Sequence, residues 1–225
     1  MRNDNYRIGL IYEELRSDDI FSLTLEELNN YDWDIFFNSE YCGLYSTVLL
    51  ESFTKIIDNV PSKVGLLDQY EILLYDGSKF TLNINYNDAN QIRKLSNAAI
   101  IDADIKNRSD IVDGYQHFKH IKDGQYVALI EFKDSQNRHT STGEVGPHAH
   151  ELFSMLKNAV SHSLSQNNMM NNTVGIMMLV NNNEPKRLIL YWKILERLLK
   201  NTFPIIFKDD NSKSLANVTI LVAIK

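Results

Sequence analysis

In the stretch DGQYVALIEFKDSQNR (123–138), Glu131 and Lys133 stand two residues apart at the end of an apolar run. Residues i and i+2 of a strand project to one face, so this acid and this lysine would stand together while Phe132 turns to the other face and into packing. Upstream, Asp110 opens SDIVDG (109–114), and a turn at Asp123-Gly124 would fold that segment back beside Glu131. Two carboxylates brought close repel, and one retains its proton unless a cation sits between them. Oxygen ligands of this kind, with water completing the shell, suit Mg2+ or Mn2+. Such an ion acidifies a bound water and neutralises charge on a phosphate under attack. A neighbouring lysine can orient the water or stabilise the charge that develops.

Those side chains need a sheet to hold them. Asp76-Gly77 separates two β-rich runs, YEILLYDG and KFTLNINY, and reads as a hairpin turn. AAIIDADI, SDIVDGYQHF and QYVALIEFK read as three further strands, with DANQIRKLSN as a short helix before them. In HAHELFSMLKNAVSHSL, Leu152, Phe153, Leu156, Ala159, Val160 and Leu164 form one stripe at helical spacing. VGIMMLV is a continuous apolar run suited to a central strand. EPKRLILYWKILERLLKN is a second helix, with Pro185 in its first turn. PIIF and VTILVAIK close as strands, and the Asn-rich SQNNMMNN reads as a loop.

Before residue 63 the pattern is mostly helical. SDDIFSLTLEELNN offers Ser17 or Asp18 as an N-cap. LYSTVLLESFTKIIDNV places Leu49, Phe53 and Ile56 at helical spacing ahead of Pro61. The expectation is an α/β fold: a mixed central sheet flanked by helices over 63–225, read as one compact unit, with a mainly helical N-terminal extension over 1–62.

SDIVDG followed by QYVALIEFK, a polar loop and a long amphipathic helix resembles the PD-(D/E)XK nuclease superfamily, whose core is restriction-endonuclease-like. Ser109-Asp110 would stand for the Pro-Asp of its pattern, with the proline missing, and Glu131-Phe132-Lys133 matches the second half. The resemblance spans roughly 66–181. It implies hydrolysis of phosphodiester bonds in nucleic acid, DNA ahead of RNA, with Asp110, Glu131 and Lys133 catalytic. Asp110, Glu131 and Asp113 would hold Mg2+ or Mn2+. Lys157 and Ser161, four apart on the polar side of the following helix, would face the substrate, and His148 and Arg138 would touch phosphate. Glu51 is the candidate for a glutamate that many members carry ahead of the sheet.

An E-x-K triplet arises by chance about once in a chain of this length, so context decides. Glu184-Pro185-Lys186 sits at a helix start, and Asp104-Ile105-Lys106 is followed by another strand rather than a helix. The bland alternative for Glu131 and Lys133 is a strand end whose charges meet water. His148 and His150 could serve a zinc hydrolase, although no second ligand cluster accompanies them. Arg93, Lys94, Lys106, Arg108, Lys119, Lys122 and Arg138 concentrate in mid-chain, as a phosphate-binding groove or a solvated surface.

Composition limits the rest. With 225 residues, 44% hydrophobic, the chain can bury a sizeable core. A net charge of −6 argues against coating nucleic acid by bulk electrostatics, so a partner subunit or a second copy would supplement substrate grip. No secretory signal or membrane-spanning run is present, and the single cysteine, Cys42, fits a reducing, cytoplasmic setting. The Asn-, Ile- and Lys-rich composition fits a bacterial or mobile-element source, where such nucleases act in phage or plasmid defence or recombination; that link is association only. The rival class is a non-catalytic α/β binding or immunity-type protein whose acids serve solubility.

Overall fold

Alternating apolar residues, punctuated by turn glycines, build most of one sheet. The computed structural model describes residues 23–31, 53–62, 65–74, 77–97, 115–134, 149–166, 169–181, 185–199, 201–209 and 218–225. Seven strands lie among them: β1 Phe53–Ser62, β2 Gly65–Leu73, β3 Lys79–Asp88, β4 Tyr126–Asp134, β5 Thr173–Asn181, β6 Ile205–Asp209 and β7 Val218–Ile224. Their order across the sheet is β1-β2-β3-β4-β5-β7-β6. Neighbours run antiparallel except β4 and β5, which are parallel. The helices are α1 Leu25–Asn30, α2 Ala89–Asn97, α3 Ala149–Ser165, α4 Met169–Asn172 and α5 Pro185–Leu199. A mixed sheet with helices is the expected α/β class.

Each face of the sheet has its own core. On one, Tyr70, Ile72, Leu82, Ile84, Ile130, Phe132 and Ile176 pack against Leu152, Met155 and Ala159 of α3, with Leu195 of α5 and Leu28 of α1 in the same cluster. On the other, Val127, Leu129, Met177 and Val222 are covered by Ala89 and Ile92 of α2 and by Tyr115, Phe118 and Ile121. α1 is fixed at its start by a capping box: Thr24 accepts from the Glu27 backbone N–H, and the Glu27 carboxyl accepts from the Thr24 backbone. Those Thr24 hydrogen bonds hold the Glu27 carboxyl below the usual carboxylate range.

A buried polar chain ties α3 to the sheet. The Ser163 hydroxyl donates to Asp68 Oδ2 at 2.5 Å, so its single proton is spent there. The Tyr86 hydroxyl, 2.5 Å from Ser163 Oγ, must therefore be the donor in that contact. Burial pushes the Tyr86 phenol well above its ordinary range, which keeps that proton in place. All three side chains are fully buried.

Where the hairpin between β2 and β3 turns, Gly77 adopts φ 86° and its N–H donates to the Leu74 carbonyl at 2.9 Å, as Asp76-Gly77 predicts. Three expectations are corrected. Residues 53–60 form strand β1, not helix: Thr54, Ile56, Ile57 and Val60 are β-branched, and pairing with β2 wins over the 3–4 spacing. Pro61 is tolerated because β1 is an edge strand. The sheet consequently begins before residue 63. Gln116–Phe118, expected within a strand, is a 3-10 turn. Met169–Asn172, expected as loop, is a short helix. Residues 1–22, including Ser17 and Asp18, and residues 98–114 lie outside the described residues.

The Phe118 ring lies on the backbone of Gly175, where any Cβ would overlap it. Gly175→Ala is therefore expected to destabilise the fold by about 1–3 kcal/mol, the usual cost of forcing extra volume into a packed core. The midpoint of urea unfolding measures it.

Candidate functional site

β4 pairs with β3 without interruption from Tyr126 to Asp134, so side-chain alternation along it is strict. Val127 and Leu129 belong to the core covered by α2, while Ala128, Ile130 and Phe132 belong to the core covered by α3. Glu131 and Lys133 continue the first series. Both are half-buried and project together on the α2 side of the sheet, as their spacing predicts.

Their surroundings on that face are polar. Glu131 is the register partner of Asn83 and Lys133 of Thr81. One strand further, Gln69 pairs with Asn83 and Glu71 with Thr81. Two rows thus cross the sheet, Gln69–Asn83–Glu131 and Glu71–Thr81–Lys133, and all six side chains are half-buried. Gln69 Nε2 donates to Asn83 Oδ1 at 2.7 Å. Glu71 lies 3.7 Å from the Lys79 ammonium.

The strand paired with Glu131 in the sheet is β3. β3 takes one edge of β4 along its length, and β5 takes the other over Tyr126–Ile130. The turn at Gly124 (φ 81°) leads out of the 3-10 turn rather than out of a strand. Asp110, Asp113, His148 and Arg138 themselves lie outside the described residues, as do Glu51, Asp102 and Asp104. Lys157 and Ser161 are not brought to this site. They sit on α3, whose apolar stripe packs on the opposite face, so the sheet separates them from Glu131 and Lys133. His150 lies in the first turn of α3.

At its other end the face is roofed by α2 and residues 115–125. Leu129 and Lys133 are about 13 Å apart along the strand. The roof is basic on its outer side: Lys94, Lys119 and Lys122 are exposed, with His117 and His120 beside them. Arg93 is bound internally, to the Ala89 carbonyl at 3.1 Å and to Asp123.

Asn83 and Gln69 are not singled out by the spacing of acids and bases. A signal for them exists: TLNINYN alternates polar and apolar residues through a strand that lies inside the sheet, which marks one polar face. As a donor set for Mg2+ or Mn2+, Glu131 is the one carboxylate in its row, and no group of three His, Cys, Asp or Glu ligands occurs among the described residues. It meets the minimum, since Mg2+ is commonly held through one or two carboxylates with waters and substrate phosphates.

Comparison with protein-family models, with curated proteins and with solved structures finds no match to this chain. Among the described residues no helix is long and apolar enough to cross a membrane. The fold and the site define an α/β protein with a half-buried acid–lysine pair on the polar face of a mixed sheet.

Proposed function

We propose that this chain is a divalent-metal-dependent nuclease that hydrolyses phosphodiester bonds, in DNA ahead of RNA, with Glu131 and Lys133 as its catalytic pair. The observation that carries the reading is the shared projection of these two side chains onto a polar, half-buried face. An amphipathic helix after the E-x-K strand, α3, agrees with the resemblance to PD-(D/E)XK nucleases. Glu131 would hold Mg2+ or Mn2+, which when bound acidifies a water and neutralises phosphate charge. Lys133 would donate to the water or to a phosphate oxygen, and its half-buried setting strengthens that interaction relative to bulk solvent. Asp110 or Asp113 would supply the second carboxylate.

The exposed lysines of the α2 roof support binding of a phosphate backbone on the same side of the sheet. Replacing Lys94, Lys119 and Lys122 together by alanine is expected to weaken DNA binding. It should also flatten the dependence of log affinity on log salt by about one unit for each phosphate that the lysines no longer neutralise. Fluorescence anisotropy at several salt concentrations measures both. With a net charge of −6, a second copy or a partner subunit would add to this grip.

One observation favours a second reading, a non-catalytic binding or immunity-type protein: the residue opposite Glu131 is an amide, not an acid. Incubation of DNA and RNA with the purified chain and Mg2+ or Mn2+ separates the two. Cleavage that disappears in Glu131→Ala and Lys133→Ala, both still folded, supports the nuclease. No cleavage with either metal, and a melting temperature indifferent to Mn2+, supports the binding protein.

A further inference from the structure

We infer that His117 and His120 form a two-imidazole site for a borderline divalent cation, Zn2+, Ni2+ or Cu2+, on the outer side of the roof. The site does not depend on the nuclease reading. Residues 115–121 repeat with a period of three: Tyr115, Phe118 and Ile121 are buried, and the two residues between each of them are exposed. The backbone has the same period. Gln116–Phe118 is a 3-10 turn, Lys119 continues it at φ −55° and ψ −23°, and the Ile121 N–H donates to the Phe118 carbonyl at 3.0 Å. Side chains at i and i+3 of a 3-10 turn eclipse, so His117 and His120 stand in one row, and both are exposed.

Three residues at a rise of about 2.0 Å each separate the pair by about 6 Å along the axis. Four residues of an α-helix rise by the same amount, the spacing at which the two histidines of an H-E-x-x-H helix share one Zn2+. The 3-10 row reproduces that rise without the sideways offset of an α-helical pair. Asp123, next in sequence at the same interval, is held by Arg93 and supplies no ligand, so water completes the shell. Exposed Lys94, Lys119 and Lys122 repel any cation here. That repulsion disfavours hard ions held by charge and leaves the site to ions that imidazole nitrogen suits.

The test needs no nucleic acid. Ni2+ is titrated calorimetrically into the intact chain at about pH 7.5, where an ordinary imidazole is neutral and able to ligate. The wild type is expected to bind one Ni2+ that His117→Ala and His120→Ala each weaken by at least about tenfold, since even an outer-shell partner of a metal ligand is worth that much. Replacing His148 and His150, the other closely spaced pair, by alanine should leave that ion in place. Lys119→His combined with His120→Lys keeps the number of histidines but moves one imidazole to the neighbouring row. This variant should lose the ion as fully as His120→Ala does. Excess Mg2+ should displace none of it. Equal Ni2+ binding in wild type and His120→Ala, undiminished affinity in the row-shifted variant, loss of the ion with His148 and His150, or displacement by Mg2+ overturns the inference. Thermal melts without metal establish that each variant is folded; should His117→Ala not fold, His120→Ala and the row-shifted variant decide the matter by the same readout.

Discussion

Cleavage of nucleic acid by Glu131→Gln is expected to fall by at least about a hundredfold, the scale of losing one group that stabilises transition-state charge. Glutamine preserves the volume and one oxygen of the side chain but not its charge, and a hard cation is held chiefly by charge. The substitution lies on a half-buried polar face, outside both apolar cores. Its effect on stability should accordingly stay at or below about 1 kcal/mol, the centre of the range for point substitutions. Single-turnover cleavage with Mg2+ and Mn2+, read beside thermal melts, checks the two halves together. Unaltered cleavage would leave Glu131 as a solvated strand end.

Ser163→Ala is expected to cost the fold about 1–3 kcal/mol, towards the upper end, because it removes a donor to a fully buried acid. It also takes the acceptor of the Tyr86 hydroxyl, so two buried groups are disturbed by one missing oxygen. For a chain of this size each kcal/mol lowers the melting temperature by about 2–4 °C. Asp68→Asn, which retains an oxygen to accept from Ser163, should cost less than Asp68→Ala, which leaves a cavity as well. Urea unfolding of the three variants orders them. Because the network lies on the α3 face, Ser163→Ala should leave Mn2+ binding at Glu131 unchanged where the protein remains folded.

Much of the architecture is legible in local patterns. The apolar stripe of α3, the unbroken apolar run of β5 and the glycine turn between β2 and β3 each specify one structure unambiguously, and each is present. The N-terminal strand is not legible. Phe53 and Ile56, three apart, satisfy a helical spacing, and only the pairing with β2 overrides it. At the site, the co-facial pair follows from period two alone. Its neighbour does not, because β3 and β4 are adjacent in the sheet although α2 and the 3-10 turn intervene along the chain. Proximity in sequence points instead to the segment around Asp110, which lies outside the described residues. Helix periodicity puts Lys157 and Ser161 on one side of α3, but it carries no information on which face of the sheet α3 covers.

The parallel junction of β4 and β5 has a kinetic meaning. Tyr126–Ile130 meets Thr173–Met178, so the whole of α3 must be spanned before that ladder closes, whereas β2 and β3 zip from a tight turn. Closing long loops delays folding, and non-local pairs form after local ones have lowered the entropic barrier. On a ribosome the acid–lysine strand would emerge well before β5, and its second edge would wait for that late arrival. Maturation of the nascent chain, rather than its equilibrium stability, is then most sensitive to changes at this seam.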